Sequence, residues 1–290
     1  MELVLLAAMA FLVFALLGRT GSTRHQAAIA GGQRVRQQLD ALYAGEHEYA
    51  RVVPPAFPDA DLAFYDASSA ELEKQGFRRL ADIEDLTLSR VYPDQRTFIR
   101  VLVDQGGVIR AGIYHVRPRG GLVWLFQLLG QVPRHVRAVE LVSEVPTGKF
   151  LSTSNTKGID RLEPAPEIRV ERLDRTATVA ELVARHRARL QAHVRAHPDQ
   201  VPAHLITYDE MLASVQRGNL VVARWRQKVG RLTRDELERM QGRPLNDVEE
   251  LFLREVQATP VSRGAERRDE PKPAEAKPAA AAAADDELVN

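Results

Sequence analysis

The chain contains no cysteine in 290 residues. That excludes disulfides, thiol nucleophiles and thiolate metal sites, and it fits a reducing compartment. Lysine is nearly as scarce: only positions 74, 149, 157, 228, 272 and 277 carry it, among 40 basic residues. Such an Arg-dominated, Ala-rich composition points to a GC-rich bacterial source. Charge of one sign is lacking too. A net charge of +1 gives no reason to expect a general nucleic-acid binder. The phosphate-loop spacing is missing, because Gly148-Lys149 is followed by Phe150 and has no glycine five positions before Gly148. No nucleophile elbow or dinucleotide glycine fingerprint is found, and no cofactor is expected.

Long apolar runs are absent with one exception. Leu3 to Gly18 is 16 residues without a charge, a helix of roughly 24 Å against a hydrocarbon core of about 30 Å. A cleaved signal peptide is the main alternative. It needs a basic start and a nearby small-x-small site, whereas Glu2 is acidic and Ala28-Ile29-Ala30 lies well beyond the run. A buried core helix suits an unpatterned run poorly. The reading is therefore an uncleaved transmembrane anchor in contact with membrane lipid. Arg19, Arg24, Arg34 and Arg36 follow it with no acid before Asp40. By the positive-inside rule this places the C-terminal part in the cytoplasm, at the bacterial inner membrane.

Beyond the run, the pattern divides the chain into residues 1–18 (anchor), 19–58 (juxtamembrane helix and Pro-rich connector), 59–165 (α+β domain), 166–257 (helical domain) and 258–290 (disordered tail). Ser68-Ser69-Ala70-Glu71 reads as a capping box opening a short helix that Gly76 closes. Thr97 to Val103 and Val108 to Val116 flank Asp104-Gln105-Gly106-Gly107, a β-hairpin signal. Ala138 to Val145 and Phe150 to Thr153 form a second pair, and Phe77 to Ile83 adds a strand. The predicted fold class is α+β, with an N-terminal transmembrane helix and a small antiparallel sheet of two hairpins, four or five strands in all, with a helix. A helical C-terminal region and the tail follow. Capping boxes at Thr178, Thr207, Thr233 and Asn246 predict helices over 178–197, 207–229, 233–241 and 246–257. The Ala-rich, Pro-rich and charged end cannot bury a core.

Two features carry candidate chemistry. His186, His193 and His197 fall within roughly 40° of arc on the helix from Thr178, and the last two have the i, i+4 spacing with which imidazoles share a metal. No Glu follows His193, so the metalloprotease pattern is absent, and Val179, Leu182 and Leu190 on the same arc make this a packing face. The second feature is Leu122 to Leu129, with Trp124 and Phe126 and with Arg117 and Arg119 before it. Too short to span a bilayer, it is either a core element or an interfacial one. Charge is also segregated: 185–234 holds ten basic residues against three acidic, and 235–257 holds three against seven. Such blocks pair across a helical hairpin more often than they meet lipid or nucleic acid. The polar run Ser152 to Gly158 reads as a strand end entering a solvated loop. The function expected is a membrane-tethered interaction or scaffolding module with a protein partner. The alternative is a membrane-bound enzyme or metal-binding protein using the histidine face.

Overall fold

β-Branched and aromatic residues at period two give strands, and the turn residues between them give the order in which they pair. The computed structural model describes residues 21–118, 133–146, 148–159 and 162–258. Within them lie β1 (Tyr49–Arg51), β2 (Phe77–Asp85), β3 (Ile99–Asp104), β4 (Arg110–Val116), β5 (Val136–Val145), β6 (Lys149–Ser154) and β7 (Ile168–Arg172). They form one seven-stranded sheet in chain order. Every neighbouring pair is antiparallel except β6 and β7, which run parallel. The β3–β4 hairpin turns on Asp104, whose Oδ1 accepts from the N–H groups of Val108 and Ile109, both at 2.8 Å.

The described helices are α1 (Gly21–Leu42), α2 (Leu62–Lys74), α3 (Leu86–Val91), α4 (Val179–Ala196), α5 (Tyr208–Lys228), α6 (Arg234–Gln241) and α7 (Asp247–Gln257). α4 to α7 each open on a complete capping box, led by Thr178, Thr207, Thr233 and Asn246. α2 begins earlier than its sequence suggests. Its cap is Asp61, which accepts from the N–H of Phe64, and Ser69 lies mid-helix with its hydroxyl donating to the carbonyl of Tyr65. A serine that bonds back along its own helix no longer marks a start.

Both sheet faces are covered. On one, α2 and α4 bury Tyr65, Leu72, Leu182 and Val183 against Phe98, Leu102, Ile113, Leu141 and Leu151. On the other, α5 lays Met211 and Val215 over Ile83 and Val101. A third cluster joins α1 to α7, with Leu39, Leu42, Phe252 and Val256 at its centre and Leu232, Leu237 and Ala223 around it. There Gly32 allows a close crossing: a Cβ on it would stand 2.5 Å from Glu255 Cβ and 2.8 Å from the carbonyl oxygen of Phe252.

Several sequence expectations are corrected. The chain is α+β, but its sheet is a mixed sheet of seven strands and not two hairpins. β1, at three residues, is too short to show a period, and β7 alternates over only two apolar residues, Ile168 and Val170. Among the described residues no helix is long and apolar enough to cross a membrane. The Leu3 to Gly18 run, which alone suggested an anchor, lies outside the described residues, as do the tail beyond 258 and Arg119, Trp124 and Phe126. The transmembrane architecture and the inner-membrane placement drawn from that run are therefore set aside. The charge blocks pair with each other, through Arg226 with Glu236 and Arg234 with Glu250.

Candidate functional site

The second sheet face does not close fully against α5. Alternation along the strands brings two cross-strand rows to this face. One runs Val101, Gly112, Glu140, Ser154, Arg172; the next runs Val103, Arg110, Val142, Ser152, Val170. Within the first row Gly112 has no side chain to fill the floor. Val215, Gly218, Asn219, Val222 and Arg226 form the roof, at the helical spacing that puts them on one side of α5. Between floor and roof is a cavity of about 230 Å³. An apolar cavity of about 150 Å³ holds a benzene ring, so this one holds roughly nine non-hydrogen atoms.

Its walls are mostly aliphatic and aromatic, with Ile83, Ile99, Val101, Val142, Phe150 and Val170 among them. The polar groups are few and unequal in their commitments. Glu140 accepts from the Ser152 hydroxyl at 2.7 Å. Asn219 donates to the Tyr49 hydroxyl at 2.6 Å, and burial with the nearby Asp85 charge pushes the Tyr49 phenol far above its ordinary range, so it stays protonated. Ser154 and Thr156 bond each other at 2.7 Å. Arg226, at the far end of the roof, is held by Glu236 at 2.6 Å and by the carbonyl of Glu163.

Arg110 is different. It lies part-buried on β4 beneath α5 and is among the residues lining the cavity. Its Nε has no hydrogen-bond partner. A Cβ on Gly218 would lie 3.8 Å from its Nη2 and 3.8 Å from the Phe150 ring, so the guanidinium sits directly beneath the one roof residue without a side chain. Loss of water lowers the Arg110 pKa, and the charges of Glu140 and Glu144 oppose that shift. Glu144 is itself committed, held two-pronged by Arg217 at 2.7 and 2.8 Å.

The histidines singled out in the sequence do not converge. His186 is fully buried on the opposite sheet face. Its Nε2 contacts the Ser143 hydroxyl at 3.0 Å and its Nδ1 the Thr153 hydroxyl at 3.0 Å. Ser143 donates onward to the carbonyl of Val108, and Arg189 donates to Thr153, so the network assigns the proton to Nε2. Both ring nitrogens are thus in structural use. His193 pairs with Gln200 at 3.1 Å, and its ring centroid lies 4.9 Å from that of His197. Among the described residues no group of three or more His, Asp or Glu side chains is placed to hold a metal. Arg117 pairs with Asp59 at 3.5 Å beside a separate polar cleft, where His115 Nε2 meets His135 Nδ1 at 2.9 Å.

Comparison with known proteins returned no matching family model, no matching curated protein and no matching solved structure. Function therefore rests on the site itself. Sequence reasoning missed the cavity because its lining comes from all seven strands and α5. The one local signal was the run Ser152 to Thr156, whose alternate hydroxyls point inward rather than to a solvated loop.

Proposed function

We propose that this protein binds a small, largely apolar molecule in the cavity between its sheet and α5. The observation that carries the reading is the combination of a cavity of about 230 Å³ with apolar walls and a few convergent polar groups. No imidazole lines the cavity, and the Ser152 hydroxyl is turned to a carboxylate. The apolar walls around this hydroxyl–carboxylate pair favour binding over group transfer. The partner-binding role expected from the sequence has less to support it. Val53, Leu62, Val201 and Ile206 are the exposed large apolar side chains among the described residues.

The test is thermal unfolding and calorimetry with single-ring aromatic compounds, with and without acid groups. Saturable stabilisation is expected, about 2.7 kcal/mol when the compound is at a hundred times its Kd. Val215→Trp fills the roof and should abolish the effect while circular dichroism shows the fold retained. A series in which no compound shifts the wild-type transition, or in which Val215→Trp responds equally, overturns the reading.

A further inference from the structure

Among the described residues, the buried and part-buried cations nearest the sheet have an anion or a carbonyl against them. Arg100 is held by Asp82 and Asp66, at 3.0 and 2.7 Å, and Arg226 by Glu236. Arg189 bonds the carbonyls of Ser152 and Arg169. Burying a guanidinium costs free energy unless its charge is offset and its N–H groups are used. Arg110, part-buried on β4, departs from this rule beside the cavity: its Nε has no hydrogen-bond partner. The two acids closest to it in charge do not take it up, since Glu144 is engaged by Arg217 and Glu140 accepts from Ser152.

Resting on the cavity reading above, we propose that the ligand is a monocarboxylate with a compact apolar body, and that Arg110 binds its acid group. A carboxylate matches the planar fork of a guanidinium with two parallel hydrogen bonds. Gly218 keeps the space over the guanidinium clear, and Phe150 beside it offers a ring against which an apolar body packs. The volume sets the size at roughly nine non-hydrogen atoms, one aromatic ring with a short acidic arm. A phosphate monoester fits less well. It brings close to two negative charges into an apolar space that Glu140 already shares with Arg110, and the second charge has no cation to meet. Arg172, the other cationic side chain of the floor, lies at the end of the neighbouring row on the edge strand β7 and donates to the carbonyl of Leu162 at 3.4 Å.

The experiment titrates the full chain with phenylacetate and with 2-phenylethanol, which share a body and differ in the acid. Wild type should bind the acid at least tenfold more tightly than the alcohol. Arg110→Met should retain the alcohol and lose the acid's advantage. The variant's alcohol binding then certifies its fold. Arg110→Lys, which keeps the charge without the fork, should show an intermediate preference and covers the case in which the Met variant does not fold. Equal binding of acid and alcohol by wild type overturns the monocarboxylate assignment and leaves the cavity reading standing. An acid preference that survives in Arg110→Met overturns the role of Arg110. Binding of neither compound defeats both readings together.

Discussion

At the scale of single residues, what matters is how each buried polar group is satisfied. His186 shows the rule most completely: serine and threonine hydroxyls occupy both ring nitrogens, and burial with the nearby Arg189 charge lowers its pKa to about 3. The unfolded chain, with an ordinary imidazole near 6.5, therefore takes up the proton first as pH falls. Because the folded value is the lower one, the contribution of His186 is fully present above about pH 6.5 and is lost toward pH 3. The loss approaches about 1.4 kcal/mol per pH unit. Urea unfolding from pH 7 to 5 should show this slope in wild type and a shallower one in His186→Gln, which cannot be protonated. Identical slopes would remove the assignment. Position in the sequence placed this histidine on a packing face, and that much was legible. Its partners Ser143 and Thr153 lie about forty and thirty residues away, so no local pattern could name them.

At the scale of elements, helix boundaries were the most legible feature. The capping boxes at Thr178, Thr207, Thr233 and Asn246 are interactions within four consecutive residues, and the helices begin where those residues stand. Glycines inside helices are the opposite case, because what they do depends on what crosses them. Gly218 continues through α5 without breaking it, and a Cβ there would meet nothing closer than 3.8 Å. Gly218→Ala should therefore stabilise the protein by up to about 1 kcal/mol through helix propensity. Gly32 has the same intrinsic preference but a backbone carbonyl 2.8 Å from the missing Cβ. Gly32→Ala should cost about 1–3 kcal/mol as α1 and α7 are forced apart. Chemical denaturation of the two variants checks both signs at once; matching signs would show that propensity, not packing, decides at these sites.

At the scale of the whole molecule, the strands follow one another across the sheet in chain order, which makes most pairings local. The helices after residue 178 then return to cover both faces. Leu182, Val183 and Leu190 of α4 share a core with Phe98, Leu102 and Leu141 of the sheet. Unfolding in urea should consequently be one transition, with circular dichroism and Trp fluorescence superimposed. Two separated transitions would divide the chain near residue 165.

The sequence by itself determined the strands long enough to show a period, the turn at Asp104 to Gly107 and the starts of the last four helices. Each is a matter of a few adjacent residues and the backbone groups they satisfy. Tertiary structure alone decided that the sheet has seven strands, that α5 roofs it incompletely and that Arg110 lines the resulting cavity with its Nε unbonded. The physical reason is that a cavity is a mismatch between two surfaces. Gly112 and Gly218 are unremarkable in their own strand and helix, and become a site only where the fold sets one above the other.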